Sequence, residues 1–253
     1  MSALPADFWE TLPLAAGARV LTRDENGLAA IDKPAGVLSH PNEPYDAPRS
    51  LLKAGYDPER ECFEWTAEAG GGPRRLWLLN RLDSATSGVI LVAASEALAQ
   101  AVKEQFARKQ VRKVYLALVF GVPTVGVALW RDLLAVKKTG GQIRTQARGN
   151  VPAVTQFKLV KHVRGSFSVS LVRLDPRTGR SHQLRVQCVK RGLPIVGDQT
   201  YGDFGLNREF AGTTGCKRMF LHSHDTSFAY EWAGRQWSFR ASAPLPPEFI
   251  AIY

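Results

Sequence analysis

The segment from Asn80 to Ala94 constrains the fold of this chain more than any other. Its first half is polar and contains a single carboxylate, Asp83, which stands two residues after Arg81 among small hydroxylated residues. Its second half, residues 89–94, is a run of aliphatic residues and alanines that predicts a buried strand. Asp83 either caps this turn, with Arg81 neutralising it at the surface, or it is a functional group held at the edge of the core.

An excess of basic residues points to a polyanionic partner. The chain has 33 Lys and Arg against 23 Asp and Glu, which gives a net charge of +10 at pH 7. A basic surface that serves solubility alone is the alternative. No run approaches the roughly 18 apolar residues of a membrane span, and residues 1–14 lack the basic and apolar parts of a signal peptide. We therefore expect a cytoplasmic protein.

Neither a metal nor another cofactor is expected from the sequence. Cys62, Cys188 and Cys216 are odd in number and too far apart for a zinc site or a disulfide framework. The pair His222 and His224 could share one side of a strand, but no third ligand stands near it in the sequence. Residues 70–75 predict a flexible basic loop without the Lys-Ser/Thr end of a phosphate-binding loop, so nucleotide hydrolysis is not supported.

Many predicted strands and a few helices indicate an α+β domain built on a mixed, largely antiparallel sheet. Residues 1–17 are expected to form an N-terminal arm and residues 18–253 one domain. Lys33 is expected to be presented from the turn that follows it. The main predicted elements are a hairpin turning at Asn26-Gly27, a helix from the N-cap Ser95 to about Gln110, strands over 113–121 and 167–174, a helix over 181–190 stopped by Gly192, and strands within 219–242 joined at Ala233-Gly234.

Three basic segments are candidates for phosphate contacts. Residues 130–150 predict a mobile basic loop or a loose hairpin that becomes ordered on binding. Between Arg173 and Arg191 there are six basic residues against one acid, Asp175, which favours a phosphate-facing surface. The polar face of the first predicted helix, with Lys103, Arg108 and Lys109, is either an ordinary solvated face or the edge of a nucleic-acid surface.

Four blocks in this order resemble the RluA-type RNA pseudouridine synthases, and the resemblance extends from about Leu21 to the C-terminus. The blocks are residues 32–36, 81–88, 113–121, and 178–185 with 197–202 behind them. The resemblance implies the pseudouridine synthase fold, with two subdomains around an RNA cleft. It also implies the isomerisation of specific uridines in structured ribosomal or transfer RNA, in which the N1 to C1′ bond breaks and C5 is joined to C1′.

The resemblance assigns the catalytic roles to three residues. Asp83 is the expected nucleophile, and whether it attacks C1′, adds to the base or removes a sugar proton is left open. Arg185 is expected to keep Asp83 charged, although it could instead be a phosphate contact on a helix surface. Tyr115 is expected to stack on the uracil and help to remove the C5 proton, although it could instead be a core residue.

Five further residues are expected to bind the substrate. Arg81 is placed to fill the position in the base stack that a flipped-out uridine vacates. Lys113 and Arg180 are expected to contact the RNA, and Met219 and Leu221 to wall the uracil pocket.

The chain also departs from the family pattern. Asn80 stands where histidine usually precedes Arg-Leu-Asp, Ser181 stands where threonine is usual, and Gln187 stands where a second histidine often follows. The few residues before the first hairpin leave no room for an S4 RNA-binding domain, so we expect the catalytic domain to recognise its RNA unaided. We also expect the protein to be a monomer.

Two other functions stay open at this point. A hydrolase would use a serine with His182 and Asp175, but the sequence has no Gly-x-Ser-x-Gly motif. An RNA-binding or RNA-folding protein with the same fold, whose catalysis is dispensable, is the other alternative.

Overall fold

The computed structural model describes residues 4, 6–66, 72–139 and 142–252. The chain divides into two compact units, which agrees with the two subdomains implied above. Unit 1 comprises Met1–Val111 with Asp225–Ala243, and unit 2 comprises Arg112–His224 with Pro244–Tyr253. Among the described residues, no helix has the length and apolar character that crossing a membrane would require.

Unit 1 is built largely on antiparallel strand pairs with one long helix. Its elements are β1 (Arg19–Arg23), β2 (Leu28–Lys33), a 3-10 helix (Pro44–Arg49), β3 (Gly55–Asp57), β4 (Cys62–Thr66), β5 (Pro73–Leu78), β6 (Ser87–Ala93), α1 (Glu96–Ala107), β11 (Leu221–Trp232), which begins in unit 2, and β12 (Arg235–Ser242). Its strands follow the order β3-β4-β5-β6-β11, while β2 pairs with β1 and β6, and β12 pairs with β11.

The strand after the Asp83 turn is buried along its whole length, as the apolar run predicts. Every residue of β6 is buried. Helix α1 begins after Ser95, whose side chain accepts a hydrogen bond from the Leu98 amide at 3.4 Å, and this confirms the predicted N-cap. Leu98 and Val102 are fully buried in the same apolar cluster as Leu91. The turn at residue 83 is therefore attached to the core of unit 1.

The first hairpin is confirmed, but its turn differs from the expected one. Of the two central residues, Gly27 has a positive φ of +92° and Asn26 does not. Instead, the Asp24 carboxylate accepts hydrogen bonds from the amides of Asn26 (3.0 Å) and Leu28 (2.9 Å), so a side chain closes a longer turn. The expected loop over 70–75 is also wrong where the structure describes it, because β5 begins at Pro73, while residues 70 and 71 lie outside the described residues.

Unit 2 also combines strands with helices. Its elements are β7 (Arg112–Phe120), β8 (Val127–Thr139), β9 (Gln142–Val163), β10 (Val169–Pro176), α2 (Gln183–Lys190), α3 (Phe204–Thr214), the start of β11, and α4 (Pro247–Ile250). Its strands follow the order β11-β7-β10-β9-β8, and β10 pairs antiparallel with β7 and β9, as β8 does with β9. Its core contains Leu118, Leu171, Phe210 and Phe220.

The basic segment over 130–150 is a hairpin and not a loop. Strands β8 and β9 pair from Val127 opposite Lys158 to Thr139 opposite Gln142, with a register shift after Leu134. Gly149 permits this irregularity, because a Cβ atom there would lie 2.3 Å from backbone atoms of Leu134. The hairpin alternative is therefore correct, and residues 140 and 141 at its turn lie outside the described residues.

The six basic residues from Arg173 to Arg191 do not form one phosphate-facing surface. Arg173 is paired with Asp175, Arg185 with Asp198, and both Lys190 and Arg191 with Asp132. Because these acids neutralise four of the six, only Arg177 and Arg180 remain exposed without an ion pair among the described residues. On the polar face of α1, Lys103 is bonded to Glu61 and Arg108 to Glu104, while Lys109 is exposed without an ion pair among the described residues.

Candidate active site

The Asp83 turn is fixed by its backbone. The Asp83 carbonyl accepts a hydrogen bond from the Thr86 amide at 2.9 Å, and the Ser84 carbonyl accepts one from the Gly36 amide at 2.8 Å. The second bond joins the turn to the segment that follows β2. The Asp83 side chain is half-buried. A carboxylate is therefore carried on a turn whose path is set on both sides by the core of unit 1.

Lys33 joins these two turns from inside the protein. Its side chain is fully buried, and Nζ donates hydrogen bonds to the carbonyls of Pro34 (3.0 Å), Val37 (2.6 Å) and Ser84 (3.1 Å). The expectation that Lys33 is presented from its turn is therefore wrong. The ammonium group has three donors, and three backbone carbonyls compensate much of the cost of burying it.

The residues that flank Asp83 are held by two polar side chains. Ser39 Oγ donates to the Leu82 carbonyl at 2.8 Å and accepts from the Leu82 amide at 2.9 Å. Asn80 Oδ1 accepts from the Leu91 amide in β6 at 2.8 Å. Asn80, the departure from the family pattern, thus fixes the start of the segment to the neighbouring strand. Arg81 is exposed, and its Nη1 lies 3.4 Å from His40 Nε2.

In unit 2, Arg185 forms a bidentate ion pair with Asp198. Nε donates to Oδ2 at 2.8 Å and Nη2 to Oδ1 at 2.7 Å, while the guanidinium carbon lies 5.0 Å from the Tyr201 ring centroid. Burial alone would raise the pKa of Asp198, but the Arg185 guanidinium, together with the amides of Thr200 and Tyr201, outweighs burial and holds that pKa below its ordinary value. Arg185 itself is 7% exposed, so the alternative of a phosphate contact on a helix surface is wrong.

Tyr201 connects three segments of unit 2. Its hydroxyl accepts from the Thr145 amide at 2.8 Å and lies 2.8 Å from His182 Nδ1. His182 precedes α2 in a left-handed conformation with φ of 54°. Asp175, the acid of the hydrolase alternative, is bonded to Arg173 at 2.8 Å. These contacts give that alternative no support.

The remaining predicted residues of unit 2 differ in their exposure. Tyr115 is half-buried on β7, opposite Leu174 of β10. Lys113 is also half-buried, and burial lowers the pKa of its ammonium group. A Cβ atom on Gly179 would lie 3.3 Å from Lys113 Nζ, which places Lys113 next to the residue before Arg180. Arg180 is exposed.

Met219 and Leu221 are 3% and 4% exposed, so both side chains are buried, as residues that line an apolar pocket would be. Arg81 and Asp83 belong to unit 1, and the other six predicted site residues belong to unit 2. The pairing of Asp83 with Arg185 and the apolar wall of the uracil pocket stay predictions.

Four residues that contact the predicted site residues or their neighbours in the chain were not singled out from the sequence. They are Ser39, His40, Asp198 and Tyr201. Asp198 and Tyr201 lie in the block 197–202 that carried the resemblance, so the signal was present but no role was attached to it. For Ser39 and His40 the sequence gives no signal, because their partners are about forty residues away. Among the described residues, no group of three His, Cys, Asp or Glu side chains could hold a metal ion.

Comparisons with known proteins identify the family of the chain. A family model described as RNA pseudouridylate synthase matches residues 27–190. The tRNA pseudouridine synthase C of Haemophilus ducreyi is 33% identical over 219 residues, covering 83% of this chain and 85% of that protein. The ribosomal large subunit pseudouridine synthase C of Salmonella typhimurium is 33% identical over 238 residues, covering 92% of this chain and 68% of that protein.

Among solved structures, the human RNA pseudouridylate synthase domain containing 1 has a similar fold. Its TM-score is 0.67 at 24% identity, with 93% of this chain and 87% of that chain covered.

Proposed function

This chain belongs to the RNA pseudouridylate synthase family, and from that premise we propose that it converts particular uridines of transfer or ribosomal RNA to pseudouridine with Asp83 as the nucleophile. Pseudouridine synthase activity itself follows from membership of the family. The choice of RNA rests on the names of the two bacterial relatives, one a tRNA enzyme and the other a large-subunit ribosomal RNA enzyme. A cytoplasmic location follows from this proposal, and a monomeric state stays a prediction.

The construction of the Asp83 turn carries the proposal for the nucleophile. The backbone on both sides of Asp83 is fixed, through Leu82 by Ser39 and through Ser84 by Lys33 and Gly36. A nucleophile whose backbone is already fixed loses less conformational entropy when it approaches the sugar carbon, which lowers the activation barrier. An ionised carboxylate can attack or stabilise an electron-poor sugar carbon, as in glycoside hydrolysis.

The other residues are proposed to support this step. Arg185 is proposed to act as the counter-ion of the Asp83 carboxylate. Its bidentate bond to Asp198 uses Nε and Nη2, which fixes the plane of the guanidinium. Tyr115 stacks on the uracil and assists the departure of the C5 proton. Arg81 fills the place that the flipped uridine leaves in the stack.

The nucleophile is tested with RNA labelled with tritium at uridine C5. The wild type is expected to release tritium, because the C5 proton is lost when C5 is joined to C1′. Asp83→Asn is expected to reduce the release by at least about a thousand-fold, as removing a nucleophile does in other enzymes, while RNA affinity changes little. Asp57→Asn is a matched control, because Asp57 only accepts amide hydrogen bonds in a turn of unit 1.

Tritium release by Asp83→Asn at the wild-type rate would contradict the assignment of the nucleophile. RNA binding by the wild type without release from any transfer or ribosomal RNA would leave the RNA-folding alternative. If the wild type does release tritium, mapping pseudouridine in total RNA from a strain that lacks the protein identifies the target uridine, as a position that is unmodified only in that strain.

A further inference from the structure

A column of aromatic rings runs from the core of unit 1 to Arg81. Phe63 of β4 is fully buried, and its ring centroid lies 4.9 Å from that of Tyr56 in β3. Tyr56 in turn stacks on His40, with centroids 4.9 Å apart and ring planes 11° from parallel. Each such contact restricts the next ring. The imidazole of His40 is therefore held in a defined orientation, although it is only half-buried.

The neighbours of His40 determine which of its nitrogens carries the proton. Nδ1 lies 2.8 Å from the Pro41 carbonyl, and a carbonyl can only accept, so Nδ1 is the donor. In the neutral ring Nε2 is then an acceptor. Nη1 of Arg81 lies 3.4 Å from Nε2, and a guanidinium can only donate. His40 therefore accepts a long hydrogen bond from Arg81.

The backbone holds these two side chains beside each other. Ser39 and Leu82, the residues next to His40 and Arg81, are joined by two hydrogen bonds through the Ser39 hydroxyl, at 2.8 and 2.9 Å. The separation of the two segments is thus independent of the flexible Arg81 side chain. Burial raises the pKa of Tyr56 to about 12, so the phenol below His40 stays neutral near pH 7.

We propose that His40 is a positioning residue for base flipping, which orients the Arg81 guanidinium before it enters the RNA. This inference rests on the proposed function, in which Arg81 replaces the flipped uridine in the stack. An unrestrained arginine loses much rotamer freedom when it is inserted. A guanidinium anchored through Nη1 loses less, and its other N–H groups remain for the RNA.

Two RNA substrates distinguish this role from a general structural one. One is a stem-loop in which the target uridine is stacked, and the other is an unstructured oligonucleotide with the same neighbouring nucleotides. His40→Phe keeps an aromatic ring on Tyr56 but removes the acceptor. We expect its single-turnover rate to fall about tenfold on the stem-loop, the size of a lost hydrogen bond to a charged group, and less than about twofold on the oligonucleotide. His162→Phe is the matched control, since His162 is a half-buried histidine of unit 2 that contacts Ser170.

A double-mutant cycle tests whether His40 acts through Arg81. If it does, adding His40→Phe to Arg81→Ala has no further effect on the stem-loop rate. His40→Gln, which retains an acceptor, then recovers part of the wild-type rate that His40→Phe loses. Equal losses on both RNAs, or effects of the two substitutions that multiply, would overturn the proposal. A wild-type protein that released tritium from neither RNA would refute the proposed function itself, which is a different outcome.

Discussion

Arg185 and Asp198 are an ion pair with almost no access to water, because their side chains are 8% and 1% exposed. Removing one member of such a pair leaves the other charge buried. We expect Asp198→Asn to lower the free energy of unfolding by about 3–5 kcal/mol, measured by urea denaturation. Asp203→Asn is the control, because Asp203 is an exposed N-cap of α3 and asparagine caps helices equally well.

The Arg185–Asp198 pair also predicts a pH dependence. The pKa of Asp198 is lower in the folded protein than in the unfolded chain. Its contribution to stability is therefore fully present above the unfolded value of about 3.9 and is lost as the pH falls through the folded value. The difference in stability between the wild type and Asp198→Asn should narrow below about pH 4. A difference that stayed constant down to pH 3 would contradict this assignment.

The buried ammonium of Lys33 is predicted to support both stability and activity. Lys33→Met keeps the volume but removes the Nζ donor from three carbonyls, of which, among the described residues, only that of Ser84 retains a second bond, from the Gly36 amide. We expect the substitution to cost about 3 kcal/mol and to slow tritium release, because the Ser84 end of the Asp83 turn is loosened. Lys103→Met is the control, since the partly exposed Lys103–Glu61 pair is expected to contribute less than about 1 kcal/mol. Equal stabilities for the two variants would contradict the role given to Lys33.

At the scale of elements, the hairpin between β11 and β12 turns on two left-handed residues. Ala233 has φ of 52° and Gly234 has φ of 73°, and alanine is strained in this region. Ala233→Asn is expected to raise the free energy of unfolding by about 0.5–1 kcal/mol, because asparagine tolerates this conformation. Gly234→Ala should lower it by a similar amount, and thermal unfolding of both variants measures the difference. A stabilising Gly234→Ala would show that the turn has another geometry.

The elements that sequence predicted well are those whose signals are local. Ser95 at the start of α1, Gly192 after α2 and Ala233-Gly234 between two strands each specify a helix end or turn through neighbouring residues. Strands β8 and β9 were not predicted as a long ladder, because their stability comes from pairing across the hairpin and not from an apolar period. Lys33 was misplaced for the same reason, since one of its acceptors, Ser84, lies 51 residues away.

For the candidate site, the sequence supplied the residues but not their partners. Asp83, Tyr115 and Arg185 were named from blocks that carried the resemblance. The Asp198 carboxylate that binds Arg185 and the Ser39 hydroxyl that holds Leu82 are set by tertiary contacts. No local pattern encodes such contacts, so they became visible only in the fold.

At the scale of the whole molecule, the net charge of +10 predicts salt-dependent substrate binding. Contacts between basic side chains and phosphates release counterions, so the affinity for RNA falls steeply as salt is added. Between about 50 and 200 mM salt we expect KM for the RNA to rise at least about tenfold, with kcat nearly unchanged. A KM independent of salt would mean that recognition does not depend on the basic surface.

The path of the chain has a consequence for how the protein is made. The chain leaves unit 1 after Val111, returns at Asp225 partway along β11, and enters unit 2 again at Pro244. Unit 1 therefore lacks β12 until residue 242 has left the ribosome, and unit 2 lacks α4, with the buried Phe249, until several residues later. Both units therefore become complete only at the end of translation, whereas domains with uninterrupted sequences usually fold one after the other. A ribosome stalled after unit 2 has begun and before residue 225 would thus carry two incomplete cores, both exposed to chaperones and proteases.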